Sequence, residues 1–261
     1  MAGAAARPDG GWLGVLRVEL SDCGSTSDVA MALAGAGAPH GTVVIARAQR
    51  QGRGRLGRRW YSPPGESLYL SLLLRPALPA AAIPPITLAA GVAVAEAAAE
   101  LGAAPRLKWP NDVLTAGGKL AGVLTETTSR GDRVEAAVVG VGVNVRTAEF
   151  PPELRGVATS LARELGRPIE VAEVEDGILP RLEFWLGRFL AGGVDAIAPA
   201  WTRWSGMAGA RVRVDLGGGR VIEGTVRGLA PDGGLDVEDD RGHHVHVVAG
   251  EVAVVDGAAP A

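Results

Sequence analysis

The segment Gln49-Arg50-Gln51-Gly52-Arg53-Gly54-Arg55-Leu56-Gly57-Arg58-Arg59-Trp60 restricts the folds open to this chain more than any other stretch. Its Gly52-x-Gly54-x-x-Gly57 spacing matches a dinucleotide-binding fingerprint in form. That fingerprint works only between a strand and a helix whose N-terminus receives pyrophosphate. Here Tyr61-Ser62-Pro63-Pro64-Gly65 follow, and two prolines with a glycine do not open such a helix. A doubly wound dinucleotide fold is therefore disfavoured, and no G-x-x-x-x-G-K-[ST] phosphate loop is present either. What remains is a cationic loop. Arginine forks fit carboxylate and phosphate oxygens in pairs, glycine lets the backbone approach a ligand, and Trp60 offers a stacking face.

The loop is a local feature, because the whole chain of 261 residues carries a formal net charge of −3. A general nucleic-acid binder is basic over its whole domain, so that class is disfavoured. One cysteine, Cys23, excludes an internal disulfide framework and suits a reducing compartment; the expected location is the cytoplasm. Residues 1–11 lack the apolar region of a signal peptide. The stretch from Ala77 to Ala95 is uncharged but contains Pro79, Pro84 and Pro85, so it reads as a buried helix beginning after Pro84-Pro85 and ending near Gly102. No membrane span is expected.

The pattern along the chain predicts an α+β fold, with a mixed β-sheet flanked by helices. Strands are expected at Trp12–Leu20, Thr42–Ala46, Ser67–Leu74, Arg106–Trp109 and Lys119–Thr125. Pro110-Asn111-Asp112 reads as a turn, and Val134–Val145 as a strand pair or bent strand. Ser25-Thr26-Ser27-Asp28 reads as a helix cap. From Val171 to Trp204 the pattern is helical, with Leu182, Trp185, Leu186 and Phe189 on one face and Pro180 and Gly187 arguing against one straight helix. Trp185, Trp201 and Trp204 are expected in the core. Beyond Ser205 short valine-rich strands alternate with turns at Gly217-Gly218-Gly219, Pro231-Asp232-Gly233-Gly234 and Arg241-Gly242, which predicts a small all-β barrel. Two domains are expected, 12–205 and 206–256. His243-His244-x-His246 reads as a solvated strand beside Asp239-Asp240 rather than a metal site, for want of a third ligand at useful spacing.

Three further stretches place polar groups in apolar surroundings: Lys108-Trp109-Pro110-Asn111-Asp112, Gly118-Lys119-Leu120-Ala121-Gly122 and Gly142-Val143-Asn144. Each alone is compatible with plain turn chemistry. Taken in order with Gly24-Ser25-Thr26, Gln49 and the arginine loop, the set resembles the biotin–protein ligase family over residues 12 to 255. The resemblance implies a class II synthetase-like biotin/lipoate ligase domain followed by a small SH3-like barrel, in which Gly250-Glu251-Val252 matches a family turn. It implies activation of biotin by ATP to biotinyl-5′-AMP, then transfer to a lysine of a biotin carboxyl carrier domain of an acetyl- or acyl-CoA carboxylase, with Mg²⁺ accompanying ATP and no metal site of the protein's own.

By the same resemblance the catalytic residues are Lys119, Arg53 and Asp112. Biotin falls to Ser25, Thr26, Gln49, Gly52, Arg53, Lys119 and Gly122, and ATP or adenylate to Arg53, Arg55, Arg58, Trp60, Asn111, Lys119 and Asn144. Lys119 would bridge the carboxylate and α-phosphate, whose like charges need a fixed cation between them. The chain departs from the family at Ser27, where asparagine is usual, at Leu56, where arginine is common, and at Gln51. Residues 1–11 are too short for the helix-turn-helix of the repressor branch, so no sequence-specific DNA binding is expected; a monomer and a weak homodimer both fit. The alternatives are a lipoate or octanoate ligase or transferase of the same fold, and a non-catalytic biotin or RNA binder.

Overall fold

The structure, a computed structural model, describes residues 11–256. A seven-stranded mixed sheet forms the larger part. Its strands are β1 (Arg17–Leu20), β2 (Thr42–Ala46), β3 (Ser67–Leu74), β4 (Arg106–Lys108), β5 (Asp112–Thr115), β6 (Gly118–Arg130) and β7 (Arg133–Asn144), in the spatial order β1-β2-β3-β7-β6-β5-β4. β1 and β2 run parallel, because α1 (Thr26–Gly35) carries the chain back between them, and the other neighbouring strands of this sheet are antiparallel.

α1 covers one face and α2 (Ile86–Glu100) with α4 (Val171–Gly192) covers the other, and α3 (Leu161–Leu165) puts Leu161 into the same large core. Alternation along β3 explains the division. Leu68, Leu70, Leu72 and Leu74 enter the large core with α2 and α4, whereas Leu73 joins Ala30, Ala34, Val44, Ala136 and Val138 beneath α1. Alanines and valines are buried around most of α2, as expected of a helix enclosed between sheet and helix. Ala80–Glu100 is long and apolar enough to cross a membrane by length and composition, yet 67% of that window is buried within the protein. Leu72 is completely buried at the centre of this core, so Leu72→Ala costs about 2–5 kcal/mol.

α5 (Ala198–Ser205) ends at Gly206, whose φ of 58° is left-handed. A second sheet of five antiparallel strands follows: β8 (Arg211–Asp215), β9 (Val221–Leu229), β10 (Leu235–Asp239), β11 (His244–Val247) and β12 (Glu251–Asp256), ordered β11-β10-β9-β8-β12. Val212, Val214, Val226, Leu235, Val237, Val247 and Val252 turn inward and join the same core cluster as the first sheet. The two sheets therefore share one apolar interior.

Several sequence expectations are corrected. The first strand is Arg17–Leu20, not Trp12–Leu20: Trp12 stacks on His40 and its N–H is accepted by Glu183. Asp112 opens β5 where the sequence pattern predicts a turn, and it pairs with β4 and β6. Arg133–Asn144 is one continuous strand. α4 runs through Pro180, which is tolerated because it lies on an exposed side where water reaches the carbonyl that lost its donor. Trp201 is buried, while Trp185 and Trp204 are half-buried against the core. The signal-peptide and helix-turn-helix expectations rest on residues 1–11, of which 1–10 lie outside the described residues.

Candidate functional site

Between the N-terminus of α1, the middle of the first sheet and the edge of the second lies a cavity of about 570 Å³. Every residue expected at the site lines it except Gly52. Gly52 lies in the base of the loop, where a Cβ would come within 2.6 Å of Ser62 Oγ and 2.8 Å of the Trp60 carbonyl.

The α1 end is polar and buried. Ser25 caps the helix by accepting the Ser27 N–H at 3.3 Å. Thr26 gives both its N–H and its hydroxyl to Gln49 Oε1, at 2.9 and 3.2 Å. The floor is glycine. Gly122 of β6 and Gly142 of β7 are cross-strand partners, and the Trp60 indole rests on them so closely that a Cβ at Gly142 would sit 2.6 Å from Cε2. The indole Nε1 is buried and has no hydrogen-bond partner among the described residues. An unmatched buried donor at a cavity wall has unused binding capacity.

Lys119 stands at the start of β6, held on both sides. Its N–H donates to the Val157 carbonyl at 2.8 Å, and its carbonyl accepts Thr159 N–H at 3.0 Å and Asn144 Nδ2 at 3.3 Å. The ammonium lies 2.6 Å from Asp112 Oδ1 and 5.4 Å from the centre of a Trp60 ring. The first contact is an ion pair without hydrogen-bond alignment, so Oδ1 lacks a hydrogen-bonded partner. Asn111 Nδ2 donates to the Val123 carbonyl at 2.9 Å and its Oδ1 accepts Arg55 Nη1 at 3.3 Å. Asn111 and Asn144 thus brace the backbone and the loop from the cavity wall.

The arginine loop is a small hairpin. Gly54 N–H donates to Arg58 O at 2.7 Å and Trp60 N–H to Gly52 O at 2.9 Å, around a 3-10 turn at Arg55–Gly57. Arg53 is gripped by two carboxylates, Asp28 Oδ1 at 2.6 Å and Glu126 Oε2 at 2.7 Å. The Glu126 hydrogen bond is the largest influence and raises its pKa; burial opposes it, and the hydrogen bond to Asp28 adds to the rise. Arg58 pairs with Glu251 of β12, and Arg55 donates to the neutral Asn111. Leu56, at the tip, takes a left-handed φ of 56° while 76% exposed; that conformation costs about 1–2 kcal/mol for a residue with a Cβ.

Elsewhere, His243, His244 and His246 face Asp239, Asp236 and Asp232, and no group of three or more metal-binding side chains occurs among the described residues. Cys23 is buried and its pKa is pushed up by that burial.

The sequence reading missed part of the wall. Phe150, Leu154 and Val157 close one side, and Val157–Thr159 pairs with Lys119 like a fragment of strand. No periodicity announces that segment. Glu251 lines the far side, a position the sequence marked only as part of a family turn.

Comparison with known proteins follows the same outline. The biotin/lipoate A/B protein ligase family matches residues 25–144, and the biotin protein ligase C-terminal domain matches residues 208–255. A biotin–[acetyl-CoA-carboxylase] ligase of Mycobacterium tuberculosis is 38% identical over 240 residues, covering 89% of this chain and 86% of that relative. The bifunctional ligase/repressor BirA of Bacillus spizizenii is 37% identical over 219 residues, and the match spans 65% of its length. The biotin protein ligase of Aquifex aeolicus, solved in complex with biotin and ATP, superposes with a TM-score of 0.78 at 30% identity, covering 92% of this chain and 99% of that one.

Proposed function

Because the chain belongs to the biotin/lipoate A/B protein ligase family, we propose that it is an ATP-dependent biotin–protein ligase. The observation that carries the reading is one cavity that joins a buried hydroxyl-and-amide end to a fixed ammonium. A biotin head fits the first, and the carboxylate with the nucleotide phosphates falls to the second.

In the first step a carboxylate oxygen of biotin attacks the α-phosphorus of ATP, and pyrophosphate leaves. Lys119 supplies positive charge where two anions meet, and in a site shielded from water that charge acts at higher strength than in solution. Asp112 holds the ammonium in place and remains beside the reacting centre. In the second step the amine of a carrier lysine attacks the acyl carbon, releasing AMP and leaving an amide. The arginine loop covers the acyl-adenylate between steps and keeps water from it. Trp60 and Asn144 bound the nucleotide side, with Arg55 and Arg58 facing phosphate.

Asp112 is a carboxylate at the cavity, and among the described residues no metal cage surrounds it. This donor set suits a Mg²⁺ ion that arrives with ATP, held mainly by phosphate oxygens and water. The partner is a biotin carboxyl carrier domain of an acyl-CoA carboxylase, and the compartment is the cytoplasm.

The test is ATP–pyrophosphate exchange with purified protein and Mg²⁺, supplied with biotin, lipoate, octanoate or no acid. Exchange with biotin alone supports the proposal. Exchange driven by lipoate or octanoate instead moves the chain to the lipoate side of its family, and no exchange with any acid overturns the enzyme reading.

A further inference from the structure

Four hydroxyls crowd the junction of α1 and β3: Ser25, Thr26, Ser27 and Ser71, which are 3%, 3%, 7% and 0% exposed. Ser71 has no part in the chemistry above. Three of the four form a hydrogen-bonded line that ends on Gln49. Ser27 Oγ lies 3.1 Å from Ser71 Oγ, Ser71 Oγ donates to Thr26 Oγ1 at 2.8 Å, and Thr26 Oγ1 donates to Gln49 Oε1 at 3.2 Å. Each hydroxyl has one proton and an amide oxygen has none. Gln49 Oε1 is therefore the accepting end, a role fixed again by the Thr26 N–H at 2.9 Å. Thr26 gives its proton to Gln49 and Ser71 gives its proton to Thr26, so Ser27 must donate to Ser71. The amide cannot flip, because Gln49 Nε2 donates to Ser62 Oγ while Ser62 donates to the Trp60 carbonyl, each at 3.2 Å.

This order decides what the wall offers. Ser25, Ser27 and Gln49 all line the cavity. Ser27 reaches its place because Gly140 opposite has no Cβ, which would come within 2.9 Å of Ser27 Oγ. With its proton turned to Ser71, Ser27 Oγ has only lone pairs for a ligand. Gln49 keeps a second amide N–H, and Ser25 keeps its hydroxyl proton while accepting the Ser27 N–H. One acceptor beside two donors complements a cyclic urea, whose N–H adjoins a C=O. A dithiolane ring or an alkyl chain has neither.

We infer that Ser71 is a positioning residue that sets the proton order of this wall, so that Ser27 receives a urea N–H while Ser25 and Gln49 donate to the urea oxygen. The inference rests on the biotin reading and assigns the specificity of that reading to two serines outside the catalytic set.

The experiment measures exchange kinetics for wild type, Ser71→Ala, Ser27→Ala and the double variant. The probes are biotin and N-methylbiotin, in which a methyl group blocks the urea N–H that Ser27 would receive. Ser71→Ala raises KM for biotin about tenfold, the scale of one lost buried hydrogen bond. KM for ATP and kcat stay close to wild type, and the preference for biotin over N-methylbiotin shrinks. The double variant loses no more than either single one, since a line broken once is already broken. An unchanged biotin preference in Ser71→Ala, or equal losses for biotin and ATP, overturns the inference. If Ser71→Ala does not fold, Ser27→Ala carries the same test at the cavity edge, and an unchanged preference there overturns it equally. Absence of biotin-dependent exchange in wild type removes the biotin reading together with this one; wild-type exchange with unaltered variants removes this one alone.

Discussion

On the α1 side of the cavity, Ser25, Thr26, Ser27 and Ser71 are buried, and the last three are joined by neutral hydrogen bonds to an amide that cannot turn. On the opposite side, the arginine loop is held by Arg53–Asp28, Arg53–Glu126 and Arg58–Glu251, pairs whose side chains are 34% to 69% exposed. The first arrangement gains strength from its low dielectric surroundings and is costly to disturb. The second is screened by water, and each exposed pair contributes about 0–1 kcal/mol. Recognition is thus built rigid and closure is built weak, and a site that must hold an intermediate and then release it needs both.

The comparison breaks most visibly at Lys119, where the rigid wall carries charge. Lys119→Ala should slow adenylation about a hundredfold to a thousandfold, the loss expected for one preorganised stabilising group; near-normal pyrophosphate exchange in that variant would remove Lys119 from its role. Next comes the floor. Gly142→Ala puts a methyl group 2.6 Å from the Trp60 indole, and overpacking of this kind costs about 1–3 kcal/mol. Biotin affinity should fall by the corresponding factor, with a shift in tryptophan emission as the indole lifts. Retained affinity with unaltered emission would mean the floor yields and is not rigid.

The loop should respond differently. Arg53→Ala is expected to leave stability within about 1 kcal/mol of wild type, but to speed loss of the adenylate and label lysines indiscriminately. Intermediate retention equal to wild type would show that the loop does not act as a lid. Arg58→Ala removes a single exposed pair with Glu251. Its effect on melting temperature should be the smallest of the four, again under about 1 kcal/mol, and a large loss would place this contact with the rigid wall instead.

How much of this was legible depended on range. Thr42–Ala46 and Ser67–Leu74 emerge with the predicted bounds because both are uninterrupted buried runs, and Ser25 caps α1 as its local pattern implies. β5 was hidden because it is four residues long and follows Pro110-Asn111, which read as a turn. The motif residues converge on one cavity, as their joint order suggested, but their contacts were not predictable. Arg53 lies on Asp28 and Glu126, carboxylates distant in sequence, and Asn144 bonds to the backbone of Lys119. Ser27 and Ser71 stand 44 positions apart. Only folding makes them neighbours.

Besides the shared apolar interior, two polar contacts of unlike chemistry tie the terminal sheet to the rest of the protein. Behind the cavity the Trp109 indole donates to the Gly233 carbonyl at 2.9 Å in a buried setting, while in front Arg58 meets Glu251 in the open. Dissolved ions reach one and not the other, since at about 1 M salt screening acts over roughly 3 Å for exposed charges and far less for buried groups. The surrounding electrolyte therefore acts as a throttle on the front fastening alone: as ionic strength rises, the sheet stays anchored and the loop is let go.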